Sequence, residues 1–330
     1  MEIKTINELV VGEVFQGFFI IKSVETKLTV NNNKYLDLTL GDKTGEINAK
    51  IWDCTEEHEE ICSVNAVVKI QAEVTQWKEK MQLSIKRIRT AREEDGVSIE
   101  DLIAAAPYKP EDMYLEIENY IDKIQDQEIY RLVKTIFEEK KEKLMYFPAA
   151  QKNHHSIRSG LLYHILTMLK SGEKLCEIYT FLNTDLLFAG IILHDIAKVD
   201  EMDSNTLGIV SGYTKEGQLL GHIIQGVKLI DSTAKRIGVD EEKSLVLQHM
   251  ILAHHNEPEF GSPKRPMFPE AEMLYHLDLI DARMYDMYNA LEGVSPGDFS
   301  ERIWILNNRK LYKFSKERDK LDFDFEDVSF

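Results

Sequence analysis

Cysteine is scarce. The 330 residues hold three, Cys54, Cys62 and Cys176, with no CxxC pair, so a disulfide framework is excluded. No stretch approaches 18 consecutive apolar residues, and no membrane span is expected. Met1 to Thr5 is polar and no apolar core with a small-residue cleavage site follows, so no secretory leader is expected. Free thiols without a leader point to the cytoplasm. Internal repeats and low-complexity tracts are missing too. Positive charge is in deficit: 40 Lys/Arg stand against 57 Asp/Glu, a net charge of −17. That excludes a protein coating nucleic acid through a general basic surface.

The deficit is uneven. Residues 1–92 hold 13 Lys/Arg and 14 Asp/Glu; the remainder holds 27 and 43. Within the first part, seven basic side chains between Lys69 and Arg92 face only Glu73 and Glu79. Such a strip is a solvated strand face or a local seat for a polyanion.

Texture also divides the chain. Residues 10–90 are rich in aromatic and β-branched residues with period-two alternation, as in KYLDLTLGD, EINAKIWD, VVKIQAEVTQW and MQLSIKRIRTA. They predict about five strands, broken at NNN, GDKTG and WKEKM, with a short helix near 55–65. Five strands with a helix in the third gap fit an OB-fold barrel. OB-folds bind single strands by stacking bases on aromatics and meeting phosphates with cations. Most aromatics here belong to the core. Trp77, beside Lys78 at a turn, is the best candidate for an exposed platform. From about 98 the period turns helical, with a capping-box-like start at Ser98 in SIEDLIAAA. The expected organisation is an all-β OB-fold over 1–92, a linker and helical connection over 93–150, an all-α bundle over 151–315 and a charged tail over 316–330.

Nine of the ten histidines lie in the helical half. His164, the pair His194–Asp195, His222, the pair His254–His255 and Asp278 sit in or beside apolar helical segments such as GLLYHILTM, IILHDIAK and LVLQHMILAHH. A polar side chain on an apolar helix points inward, where it is costly without a partner. A shared metal satisfies all of them together. Imidazole with carboxylate suits divalent transition metals. Two such ions, about 3.5–4 Å apart, clamp a phosphodiester and activate a water. By contrast His249 and His276 read as ordinary core or surface histidines, and His58, in an acidic run, as surface.

The order H…HD…H…HH…D resembles the HD superfamily of metal-dependent phosphohydrolases. The whole chain is similar to the YhaM-type 3′→5′ exoribonucleases within it, through GFFIIKS, LTLGDKTGEINAKIWD, NHHSIRSGLLYHILTML, LLFAGIILHDIAKVDE, the long stretch from Leu252 to Met284, and ERIWILNNRKLY. The resemblance implies His164, His194, Asp195 and Asp278 as core ligands, with His222, His254 and His255 as the additional ligands of two-metal members. In the D-x-x-D-A run the first aspartate is the usual ligand, which favours Asp278 and leaves Asp281 to orient from behind. Lys198 would meet the substrate phosphate or the ligand carboxylate, and Asp195, Lys198 and His222 would carry catalysis. His154, His155 and Arg158 would guide the phosphate. Lys264 and Arg265, on a Pro- and Gly-rich loop, would touch the RNA backbone or stiffen a lid.

The expected protein is a 3′→5′ exoribonuclease, dependent on a divalent metal with two ions per site and Mn²⁺ favoured. Single-stranded RNA is its expected partner and single-stranded DNA a second substrate. No membrane partner is expected, and oligomerisation is compatible with the sequence. Two rivals stand beside it. A phosphohydrolase of small or cyclic nucleotides would have little use for an OB-fold, and the GYP signature is missing around His222. A non-catalytic single-strand binding protein would have no use for seven buried polar groups.

Overall fold

A computed structural model describes residues 4–29, 31–78, 80–97, 101–151 and 155–315. The chain divides into two compact units, Met1–Pro107 with Thr206–Gly208, and Tyr108–Asn205 with Ile209–Phe330.

The first unit is a closed five-stranded barrel. Its strands are β1 (Val14–Leu28), β2 (Lys34–Asp42), β3 (Gly45–Ile51), β4 (Val67–Trp77) and β5 (Lys80–Thr90), with α1 (Glu56–Ile61) between β3 and β4. The barrel order is β1-β2-β3-β5-β4, closed by antiparallel pairing of β1 with β4 and parallel pairing of β3 with β5. Closure leaves no open edge. Alternation puts Leu36, Leu38 and Leu40 of β2 inside, against Phe15, Phe19, Val68, Ile70 and Leu83. Thr55 caps α1 by accepting the His58 backbone N–H, the side-chain oxygen taking a donor the helix leaves free.

The second unit is helical. In chain order it has α2 (Pro110–Asp122), α3 (Gln127–Glu139), the short α4 (Lys141–Leu144), α5 (Gly160–Ile178), α6 (Thr184–Leu193), the short α7 (Lys198–Glu201), a hairpin of β6 (Met202–Ser204) and β7 (Val210–Tyr213), then α8 (Lys215–Ile237), α9 (Glu241–Ala253) and α10 (Pro269–Leu291). Helix α6 is apolar all round and buried from Leu187 to Leu193, as a central helix must be. Helices α3, α5, α9 and α10 pack around it.

Two expectations fare differently. Residues 102–109 form turns and irregular chain rather than the start of a helix. Leu102 and Ile103 are buried there, and Pro107 disfavours helical geometry just before it. The stretch expected as a connection carries α2, α3 and α4, and α2 and α3 pack into the helical unit against α5 and α6. Ser98 and the tail 316–330 lie outside the described residues.

Candidate active site

Helix ends build the centre. Helix α6 stops at His194 and α9 at His254, each the C-cap of its helix. A helix C-terminus leaves carbonyls without intrahelical donors. Each ring answers one: His194 Nδ1 donates to Ile191 O at 2.7 Å, and His254 Nδ1 to Ile251 O at 2.7 Å. With the proton fixed on Nδ1, each Nε2 presents a lone pair. Burial, and then its neighbours His255 and His194, hold the His254 pKa well below the usual histidine range, so that ring is neutral.

His164 comes from the second turn of α5. That helix starts at Gly160, where a Cβ would lie 2.1 Å from His155 O; only glycine admits this approach. His222 follows a break in α8 at Gly221, whose φ of 69° is left-handed. The break exposes the His222 backbone N–H, which Glu201 accepts at 3.0 Å. Both Glu201 oxygens also stand 3.2 Å from His222 Nδ1.

Asp195, buried at the turn after α6, joins the groups. Its Oδ2 lies 3.4 Å from His194 Nε2 and 3.9 Å from His164 Nε2, while those two nitrogens are 3.2 Å apart. Asp278 Oδ1 is 3.4 Å from the same His164 Nε2. The other oxygen, Asp195 Oδ1, lies 3.3 Å from His222 Nε2 and 3.8 Å from His254 Nε2. Nitrogens of His222, His254 and His255 fall within 4.8 Å of one another, and His255 Nε2 is 4.0 Å from Asp278 Oδ2.

This donor set fits divalent ions. Asp195 Oδ1, His222 Nε2 and His254 Nε2 are buried and have no hydrogen-bond partner among the described residues. Three converging acceptors without a donor are an unstable arrangement by themselves; a shared cation resolves it. Burial opposes charge on Asp195, but Lys198, at 2.6 Å from Oδ2, outweighs it and holds the carboxyl well below its usual range. Burial likewise opposes charge on His164. Its contacts with Asp278 and Asp281 prevail and raise its pKa; a cation at Nε2 would take over that charge.

Behind the centre, Asp281 Oδ2 accepts from His164 Nδ1 at 2.7 Å and from His155 Nε2 at 2.7 Å. Those hydrogen bonds are filled, and the three groups also lie close enough together to hold a cation. The two aspartates thus divide: Asp278 faces the convergence and Asp281 stands at the rear of His164. His155 is buried, 1% exposed, and touches Asp281 rather than the opening. Arg158 is half-buried and outside the cavity lining. His154 lies outside the described residues. Lys264 and Arg265 are exposed on the 261–268 loop and do not line the cavity. That loop is pinned at both ends, by Ser262 Oγ accepting the His255 N–H at 3.0 Å and His249 Nε2 accepting the Met267 N–H at 3.1 Å.

Asp195, Lys198, His222, His255 and Asp278 open onto a cavity of about 610 Å³. Glu201 lines it too, as do Tyr213, Tyr275, Arg283, Asp286 and the apolar Ile305 and Leu306. Sequence reasoning missed Glu201, Arg283 and Asp286. KVDE carries no periodic signal, and the α10 pair looks like ordinary helix-surface charge until the cavity is seen.

On the barrel, Trp77 is 64% exposed, with Lys78 beside it at the β4–β5 turn in a left-handed conformation. A second platform lies at Tyr35 and Trp52, whose ring centroids are 4.9 Å apart. Lys50 Nζ stands 5.1 Å and 5.7 Å from the two rings. The basic strip lines a groove with α1 that includes Lys69, Lys86, Arg87 and Arg89. Asp95 neutralises part of it, taking two bonds from Arg89 at 2.6 and 2.7 Å with Lys69 at 3.5 Å.

Comparisons with known proteins agree with both units. Residues 161–283 match the family described as HD domain, and residues 19–91 the OB-fold nucleic acid binding domain. A 3′-5′ exoribonuclease YhaM of Geobacillus sp. is 43% identical over 92% of this chain and 93% of its own. Proteins of the same name from Shouchella clausii and Halalkalibacterium halodurans are 42% and 41% identical over 94% of this chain and 97% of theirs.

Proposed function

The chain belongs to the family of the 3′-5′ exoribonuclease YhaM, and on that premise we propose how its own residues perform the reaction. It is a metal-dependent 3′-5′ exoribonuclease acting on single-stranded RNA. The observation that carries the assignment of the site is the split of Asp195, whose two oxygens face two different histidine groups.

That split supports two ions, and Asp195 would help to hold both. His164, His194 and Asp278 would hold one, and His222, His254 and His255 the other. The mixed nitrogen and carboxylate set is compatible with Mn²⁺ and with other divalent transition ions; the family resemblance favours Mn²⁺. When bound, the ions polarise the phosphoryl oxygens, lower the pKa of the attacking water and stabilise the departing 3′-oxygen. The protein does the rest. Asp281 and Glu201 fix the rings of His164 and His222 so that Nε2 faces inward. Lys198 stays protonated, because Asp195 outweighs the burial that opposes its charge. Its ammonium balances the carboxylates and offers a proton toward the phosphate. Water attacks the last phosphodiester, the P–O3′ bond breaks, and a nucleoside 5′-monophosphate leaves.

In the barrel unit, the Tyr35–Trp52 pair with Lys50, and Trp77 with Lys78, would stack bases and meet phosphates. Stacking is indifferent to the sugar, which supports single-stranded DNA as a second substrate. The three cysteines are free, and among the described residues no helix is long and apolar enough to cross a membrane. Those two facts support a cytoplasmic place. The sequence is also compatible with oligomerisation.

The test is a 5′-labelled single-stranded RNA with purified protein, with Mn²⁺ or EDTA, on a sequencing gel. A Mn²⁺-dependent ladder shortening from the 3′ end is expected. RNA left intact with every divalent ion would overturn the reading.

A further inference from the structure

One stripe of α10 forms a cavity wall. Tyr275, Asp278, Leu279, Ala282, Arg283 and Asp286 all line it, and at about 3.6 residues per turn they share one side of the helix. Asp278 belongs to the metal centre. Arg283 and Asp286 serve nothing described so far. Both are half-buried, and among the described residues neither has a hydrogen-bond or ion-pair partner, although they lie one turn apart. Burial alone raises the Asp286 carboxyl above its ordinary value. A guanidinium and a carboxylate aimed into one cavity, yet not joined, are groups waiting for a ligand with complementary ends. The same cavity offers an apolar wall at Ile305 and Leu306, and two aromatic rings at Tyr213 and Tyr275, which suits a nucleobase.

Spacing assigns the order. Asp286 stands eight residues beyond Asp278, about 12 Å along the helix, which leaves room for one nucleotide between a phosphate at the centre and a carboxylate at its far end. Arg283 lies between. We propose that these two residues read the 3′-terminal nucleotide: Asp286 accepts a hydrogen bond from its terminal 3′-hydroxyl, and Arg283, from between, reaches back to the one phosphate of that nucleotide at the centre. The inference rests on the exonuclease reading of this site and adds an end specificity to it. RNA ending in a hydroxyl is taken; RNA ending in a 3′-phosphate sets a phosphate against a carboxylate in a confined space and is refused. A site built to hydrogen-bond a hydroxyl discriminates strongly against an end that cannot supply it, and repulsion sharpens the choice.

Two otherwise identical 5′-labelled RNAs, one ending in 3′-hydroxyl and one in 3′-phosphate, test this with Mn²⁺ present. The hydroxyl end should be trimmed with at least about tenfold greater kcat/KM. Asp286→Asn should narrow that ratio by improving the phosphate end relative to the hydroxyl end, and Arg283→Lys should raise KM for both ends without changing the ratio. Isothermal titration of the wild-type protein with Mn²⁺ needs no variant: a nucleoside 5′-monophosphate should bind more tightly than the 3′,5′-bisphosphate. Equal trimming of both ends, equal binding of both nucleotides, or an Asp286→Asn protein slowed equally on both ends overturns the inference while leaving the exonuclease reading intact. No shortening of either RNA with any divalent ion overturns both.

Discussion

Asp195 has two oxygens, and each faces a different group of imidazoles. That arrangement works only if the imidazoles hold still. His194 and His254 are fixed by their own helix carbonyls, whereas His164 and His222 depend on Asp281 and Glu201. Removing such a supporting carboxylate typically weakens metal affinity by about 10–100-fold. Asp281→Asn and Glu201→Gln should therefore each raise the Mn²⁺ concentration needed for half-maximal RNA cleavage by roughly that factor. Excess Mn²⁺ should restore most of the rate. A variant with unchanged Mn²⁺ dependence would assign its carboxylate a packing role only. Asp195→Ala should instead abolish cleavage at any Mn²⁺ concentration while RNA still binds, by gel shift. The sequence announced the histidines because each interrupts an apolar helical run. Asp281 was visible through its spacing from Asp278, three residues along one helix. Glu201 was not, because its partner is brought to it by a break at Gly221 that no periodicity foretells.

At the level of elements, the ends of helices matter more than their lengths. Helix α5 begins where Gly160 lies against the His155 backbone, and His155 in turn holds Asp281. Gly160→Ala puts a methyl into that contact, an overpacking that costs about 1–3 kcal/mol. A lowered thermal midpoint together with weaker Mn²⁺ binding is expected; a fall in the midpoint alone would detach this turn from the metal centre. The start of α3 is tied elsewhere. Asp126 caps it through the Glu128 and Ile129 backbone N–H groups and meets Lys243 of α9 at 2.7 Å. Burial opposes its charge, but Lys243 and the cap bonds outweigh it, and its carboxyl sits below the usual range. Stability from a depressed carboxyl is present above the unfolded value of about 4 and is lost as pH falls through the folded value. Asparagine keeps the cap, so Asp126→Asn isolates the ion pair. The variant should melt below the wild type at pH 7 and level with it in acid; a gap independent of pH would assign the loss to the cap. Strand positions were plain in the sequence from alternation. The 102–109 segment departs from the expected helix: Leu102 and Ile103 are buried in irregular chain, and Pro107 disfavours helical geometry just before it.

For the whole molecule, an acidic protein must hold a polyanion. A net charge of −17 works against long-range attraction, so affinity has to come from contacts that work at short range. Stacking does. The Tyr35–Trp52 pair under Lys50 supplies ring faces and one cation, while Asp95 mutes part of the basic groove. Few phosphates are then neutralised by the protein, and the dependence of binding on salt should be shallow, its logarithmic slope scaling as about −0.7 per phosphate contact on a single strand. Stacking on an aromatic is worth about 1–3 kcal/mol per base. In the intact chain with Ca²⁺ in place of Mn²⁺, Trp52→Ala should therefore weaken binding of a single-stranded RNA by roughly 5–150-fold with the salt slope unchanged. Lys50→Ala should reduce the slope by about one contact's worth. Fluorescence anisotropy at a series of KCl concentrations separates the two. If Trp52→Ala binds normally and Trp77→Ala does not, the strand runs over the β4–β5 turn instead. If neither loss matters and the slope is steep, the acidic protein holds its substrate by charge after all, and the basic groove of β4 and β5 carries it.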